Sequence, residues 1–486
     1  MQYISTRGLE SSFSFSDILF EGYAEDGGLY VPAVFPKVDA HTLMTWRGLS
    51  YASLAFEVIR LFAEELPKED LWQICSEAYQ AGNFGHTRGM FTAEEITPVK
   101  WLHDQVGLLE LSNGPTLAFD DIAMQFMSRL FDTSFAQGRP RTLLGATTGD
   151  MGAAAEAAFG GHKNIKVVML SPKDRMSQFQ AAQLYSNQDP NVVNIEVNGT
   201  FDECQDIVRT ILEDREYAKA HGLGAINSVL WARIVPQIVY YFYAYFRLAE
   251  QGAVEWGRPV DFCVPTGNFG DILAGYYAKQ MGLPVGRLVC ASNKNNVLTD
   301  FLRTGTYDAR RTFYKTTSPS MDILISSNLE RLLYHVSGSS EKVAGWMQEL
   351  SATGKYTVDA ETLAKIQQSF AAGYADDADG AAEIKARFDG DHYLCDTHTA
   401  VAFRVAETRR TDAPMVVLST ASPFKFPRDV LTALGEETPA SDFAAMAALT
   451  AGTGAEAPAS LRELDKLEVR FKTVLQPADI RTAALR

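Results

Sequence analysis

The chain lacks the features that mark several large classes of protein. Its five cysteines (Cys75, Cys204, Cys263, Cys290, Cys395) are odd in number, scattered and never in a Cys-x-x-Cys spacing. That usage argues against a disulfide framework or structural zinc and fits reduced thiols in a cytoplasm. Positive charge is scarce too: 44 Lys and Arg stand against 60 Asp and Glu, a formal net charge of -16. A protein that tracks nucleic-acid phosphates needs the opposite balance, so no nucleic-acid partner is expected. Long hydrophobic runs are missing. The longest apolar-aromatic run, Ile234–Phe246, contains Gln237 and is followed by Arg247. It is too short to cross a bilayer and reads as a buried helix, so no membrane partner is expected. Met1–Asp17 is polar and aromatic by turns, without the pattern of a signal peptide. No solenoid period recurs. What remains is ordinary globular material, 46% hydrophobic and 21% charged over 486 residues, enough for two or three domains.

One unit keeps returning from Leu144 to Pro423: a short apolar run, a polar or glycine turn, then a helical pattern. Thr142–Leu144 precedes GATTGDMGAAAEAA, Val167–Leu170 precedes SPKDRMSQFQAAQ, and Phe262–Val264 precedes PTGNFGDILAGYYAKQM. Leu288–Ala291 and Met415–Leu418 open two further units. Strands alternating with helices predict an α/β fold, a parallel sheet covered on both faces with ligands beyond the carboxyl ends of its strands. Residues 1–98 read as a separate helical N-terminal domain. Residues 99–430 read as the two-lobed core, with a helical insertion at about 326–385. Residues 431–486 read as a C-terminal segment packing on that core. Asp376–Gly380 and Pro439–Ala459 are expected to be loops.

Thr266-Gly267-Asn268-Phe269-Gly270 follows an apolar strand and opens a helix. Glycines there let backbone N–H groups converge on an anion at a helix start, where the dipole adds a favourable partial charge. An ordinary strand–helix turn is the alternative. The turn Gly145–Gly152 has the same form, and two such turns favour a phosphorylated ligand.

GPTLAF (Gly114–Phe119), GATTGD (Gly145–Asp150), NSVLWARIVPQIVYY (Asn227–Tyr241) and PTGNFGDILAGYYAKQMGLP (Pro265–Pro284) stand in one order. SNKNNVLTDF (Ser292–Phe301), SPSMDI (Ser318–Ile323), CDTHTAVA (Cys395–Ala402) and LSTASPFKFP (Leu418–Pro427) continue it. In that order, and from YISTRG (Tyr3–Gly8) onward, the chain closely resembles threonine synthase of the longer bacterial and fungal type. The resemblance implies a pyridoxal-phosphate fold-type-II architecture, tryptophan synthase β-like, with an added N-terminal domain. It implies O-phosphohomoserine as family substrate, from which phosphate is eliminated before water adds to give threonine. By motif match Thr266, Gly267, Asn268, Phe269 and Gly270 would hold the cofactor phosphate, with Thr420 at the pyridine nitrogen. Thr147, Thr148, Gly149 and Asp150 would contact substrate, with Asn227, Ser228, Arg233 and Lys425 around its phosphate. A monomer or homodimer is expected.

The family pattern around the cofactor lysine reads HGPTLAFKD; this chain reads NGPTLAFDD. The resemblance thus puts Asp120 where the lysine belongs and Asn113 where a histidine belongs. A carboxylate cannot form a Schiff base or release product by transaldimination. Met151 replaces a threonine, Leu230 an asparagine and Ala402 a glycine, the first two read as polar side chains lost from the substrate site. Three readings stay open: a repurposed lyase independent of a Schiff base, with pyridoxal phosphate held noncovalently or absent; a non-catalytic metabolite-binding paralogue; and a threonine synthase carrying a substituted lysine. Asp120 is the expected catalytic group, a buried carboxyl with a raised pKa suited to acid–base work, against the alternative of a solvated carboxylate. Asp121 is expected to anchor the helix start. Asn113 joins the expected substrate contacts. His103 and His398 show no metal-ligand spacing, and no metal is expected.

Overall fold

The computed structural model describes residues 1–85, 95–103, 105–133 and 141–483. Among these residues two main sheets form. The six-stranded sheet runs Phe370–Tyr374, Val285–Ser292, Val260–Pro265, Met415–Ser419, Val106–Glu110, Val99–His103. All its pairs are parallel except the last, which is antiparallel. The five-stranded sheet runs Val474–Leu475, Val192–Val197, Ile165–Pro172, Arg141–Ala146, Leu223–Ala225 and is parallel throughout. Strands such as Val260–Pro265 are buried along their whole length, as near-continuous apolar runs in a two-sided parallel sheet require. The α/β expectation, with helices on both faces, holds.

The helix Trp231–Glu250 is the axis of the core. It buries 18 of its residues, including every aromatic from Tyr240 to Phe246. Segment 1–85 packs into the same core rather than beside it. Its ribbon Tyr3–Ser5 with Tyr30–Pro32 brings Tyr3 against Trp231, whose indole N–H donates to the Tyr3 hydroxyl at 2.9 Å. That hydroxyl donates in turn to the Phe62 carbonyl at 2.6 Å.

Two expected loops are helical. Asp376 caps the helix Asp377–Asp391 through a reciprocal bond with Asp379, so the acidic cluster is a helix start stabilised by its charge. Within Pro439–Ala459 the alanines form the helix Asp442–Thr453, which buries Ala445, Met446 and Leu449. The stretch expected as an insertion holds the helices Leu329–Ser337, Ser340–Thr353 and Ala360–Ser369. It then re-enters the large sheet as the edge strand Phe370–Tyr374.

Candidate active site

The carboxyl ends of both sheets face a common cavity of about 110 Å³. Its wall includes Asp120, Thr148, Arg233, Gly267–Gly270, His398 and Thr420. A second, outer cavity of about 60 Å³ is lined by Thr147, Thr148, Arg209, Asn227 and Ser228. Thr148, Met151, Ser228, Arg233 and Asn268 border both, so the two spaces are neighbours with Arg233 between them. A larger cleft of about 470 Å³ near Glu21, Arg141 and Arg215 lies at the amino ends of the strands, away from the place where α/β sheets bind ligands.

The turn Thr266–Gly270 leaves a row of backbone amides pointing at the cavity. Pro265 ends the strand, Phe269 turns left-handed at φ 63°, and the helix Gly270–Met281 begins at once. Among the described residues none accepts a hydrogen bond from the N–H of Gly267, Asn268 or Phe269. A Cβ on Gly267 would stand 2.9 Å from the Ser320 carbonyl oxygen, so only glycine fits below the turn Pro319–Met321. These orphan amides match the phosphate end of pyridoxal phosphate.

The turn Thr147–Asp150 differs from that cradle. Thr147 Oγ1 accepts from the N–H of Gly149 and of Gly152, both at 2.9 Å, so two amides are satisfied internally. Gly149 has φ 130° and packs on Gln180. Asp150 is engaged by Lys425 Nζ at 2.5 Å, Gln180 at 3.1 Å and the Ser320 hydroxyl at 2.9 Å. The Lys425 ammonium holds its carboxyl below the usual range against the opposing effect of burial.

Asp120 opens the helix Asp120–Asp132 and is 3% exposed. The approach folds tightly: Asp121 accepts from the Thr116 N–H at 2.9 Å and its hydroxyl at 2.8 Å, across Gly114, where a Cβ would collide with Asp121 at 2.3 Å. Asp121 thus braces the turn before the helix. Asp120 is no solvated carboxylate, since it makes a buried ion pair with Arg233 Nη2. Burial pushes the Asp120 carboxyl up, with Arg233 opposing. Among the described residues, the other terminal nitrogen of Arg233, Nη1, is buried without a hydrogen-bond partner.

Sequence reasoning missed Asp271, on the cavity wall. It accepts from Tyr240 at 2.6 Å and Tyr241 at 2.8 Å, while Oδ2 has no partner. Burial raises its carboxyl to about 7. The signal was the pair of tyrosines inside an aromatic run that otherwise reads as packing. His398 Nδ1 stands 2.9 Å from Asp396, and its Nε2 accepts from the Ser320 N–H at 3.2 Å. An accepting Nε2 makes the ring neutral with its proton on Nδ1.

Other expected site residues stand apart. Asn113 lines neither cavity; its amide makes a 3.5 Å bond to the Glu95 carbonyl. Lys425 is fully buried behind Asp150, also donating to the Thr116 carbonyl at 3.0 Å, so it reaches the cavity only through Asp150. Leu230 is fully buried in the core rather than on the pocket wall, because the backbone turns inward just before the helix Trp231–Glu250. Among the described residues no cluster suits a metal ion, and no helix is long and apolar enough to cross a membrane.

Residues 93–386, which carry this strand–turn–helix cradle at the carboxyl ends of the two sheets, match the family described as pyridoxal-phosphate dependent enzyme. Residues 2–79 match threonine synthase N terminus, and residues 399–483 match threonine synthase, C-terminal. The chain belongs to the threonine synthase family. It is 42% identical to threonine synthase of Methylobacillus glycogenes over 481 residues, 98% of this chain and 97% of that one. The crystal structure of PLP-bound threonine synthase from Brucella melitensis superposes with a TM-score of 0.87 at 40% identity, covering 100% of this chain and 99% of that one. Threonine synthase from yeast does so with 0.85 at 35%, covering 100% and 98%.

Proposed function

We propose that the chain is a carbon–oxygen lyase acting on a small phosphorylated amino acid of the O-phosphohomoserine kind, without a Schiff-base lysine. The observation that carries this is the pairing of two anion-seeking features in neighbouring cavities: the orphan amides of Gly267, Asn268 and Phe269, and the orphan Nη1 of Arg233. The first suits the phosphate of pyridoxal phosphate, the cofactor of the family, and the second the phosphate of the substrate. At its phosphate end the pocket fits the cofactor; at position 120 it offers no amine to hold it covalently. When bound, the cofactor supplies an electron sink for charge developing beside the substrate's amino group.

The side chains divide the remaining work. Thr266–Gly270 bind and orient through the backbone. Arg233 takes the substrate phosphate, with Thr148 and Ser228 on the same wall. Asp120, buried and raised, holds or releases a proton beside the group that departs. Repurposing away from threonine formation is supported by the changed position 120 and by Met151 on the wall of both cavities.

Incubation with O-phosphohomoserine and pyridoxal phosphate, followed by phosphate release and analysis of the organic product, tests the reading. Phosphate release with little threonine supports it, and no release from this substrate class removes it. Asp120→Lys separates the alternatives. Full threonine formation in that variant would identify a threonine synthase with one substituted residue rather than a rewritten pocket.

A further inference from the structure

Arg233 is a fork with one prong in use. Nη2 holds Asp120, while Nη1, in a residue 5% exposed, is buried without a partner at the boundary between the two cavities. A buried guanidinium N–H without an acceptor is costly, and the site is complementary to a second oxyanion. Yet an anion accepted there would lie beside a carboxylate that shares the same cation.

Among the described residues the other cations around Asp120 are already paired with carboxylates. From its own helix comes Asp121, held by Thr116. From the helix Asp150–Phe159 comes Asp150, already engaged by Lys425 of the turn Pro423–Lys425. From the helix Gly270–Met281 comes Asp271, and from the helix Thr397–Arg409 the neutral His398. Arg209, on the outer cavity, is paired with Asp206 at 2.8 Å. Among the described residues Asp150 has three side-chain donors and Asp271 two, whereas Arg233 is the one side chain that donates to Asp120.

We propose that Arg233 and Asp120 form a proton-coupled oxyanion site: the anionic group of the ligand takes Nη1 of Arg233, and Asp120 takes up one proton from solvent as that group arrives. One O–H bond forms on Asp120 and no other covalent bond changes. The burial that already pushes the Asp120 carboxyl up favours that uptake. The proposal rests on the reading of this pocket as a phosphate-substrate site and deepens it, because substrate binding itself loads Asp120 as an acid beside the leaving phosphate. A lysine at the same position would also be drawn to its protonated form by the anion, but would become charged where the carboxyl becomes neutral.

Sulfate is the probe, a dianion throughout the working pH range. With pyridoxal phosphate present to fill the Thr266–Gly270 cradle, calorimetric titration of the full chain at a pH above the unliganded pKa of Asp120, in buffers of different ionisation enthalpy, is expected to show about one proton taken up per sulfate bound. Between the unliganded and the sulfate-bound pKa of Asp120, sulfate affinity is expected to fall about tenfold per pH unit. In Asp120→Asn, sulfate is expected to bind with no proton uptake and no pH slope. Absent binding, binding without uptake, or uptake that persists in Asp120→Asn would each overturn the proposal. The last outcome would move the proton to another group, such as Asp271. Should the variant fail to fold, sulfate-induced infrared difference spectra of the native chain decide the point: a protonated-carboxyl band appears, or the proposal falls. Failure of phosphate release from O-phosphohomoserine with intact sulfate linkage would remove the proposed function alone.

Discussion

A single carboxylate changes its meaning with its neighbours. Asp120, Asp121 and Asp271 are all buried near one another, yet one is paired with a guanidinium, one with a threonine and one with two tyrosines. Burial raises Asp121 and Asp271 to about 7. The folded state therefore binds their protons more tightly than the unfolded chain, whose aspartates titrate near about 4. Stability from these groups is fully present below that value and is lost as pH rises toward 7. In Asp271→Asn the neutral side chain mimics the protonated form. Urea unfolding is expected to show the parent losing about 2 kcal/mol more than the variant between pH 5 and pH 8. A parent and variant with parallel pH profiles would contradict the assignment of Asp271.

At the scale of elements, what could be read from one dimension was whatever is local. The strand–turn–helix pattern around PTGNFGD is set by a few adjacent residues, and the strand and helix stand where the pattern put them. Asp121 as a brace is local too, five residues from Thr116. Contacts across the chain were not legible. Leu230 counts as a pocket residue only if the chain around it runs along the wall, and it turns into the core instead. Tyr240 and Tyr241 read as packing because nothing in a run of aromatics reveals that their hydroxyls meet Asp271, about thirty residues onward. The expected loop at Asp376–Gly380 failed for a different reason, since clustered aspartates favour both a polar loop and a helix start. The cradle itself has a steric signature. Gly267→Ala would bring a Cβ against the Ser320 carbonyl and force apart the two turns. Pyridoxal phosphate binding, read by protein fluorescence, is expected to weaken about tenfold or more, while thermal stability falls by about 1 kcal/mol. Unchanged affinity would show that the amides of this turn do not meet the cofactor.

At the scale of the whole molecule, one hydrophobic cluster joins the first eighty residues to both faces of the long helix. Tyr3, Phe62, Trp231 and Tyr277 meet as a ring cluster, with centroids 5.2 Å apart for Trp231 and Tyr277 and 5.6 Å for Tyr3 and Trp231. Arg233 lies two residues from Trp231 at the start of the same helix. Tyr3→Phe removes the acceptor of the buried Trp231 N–H and is expected to cost about 1–3 kcal/mol. The loss is expected to appear as a shift of one cooperative transition followed by both intrinsic fluorescence and far-ultraviolet dichroism. Two separated transitions would instead show that the N-terminal segment folds apart from the core.

The ion pair between Asp120 and Arg233 also bears on the history open to such a chain. A guanidinium beside position 120 depresses the pKa of an amine placed there, which keeps a lysine reactive. The same guanidinium receives an acidic residue and neutralises it. A carboxylate at position 120 that would be a bare buried charge in most cores meets a counter-charge in Arg233, so the fold can bury it.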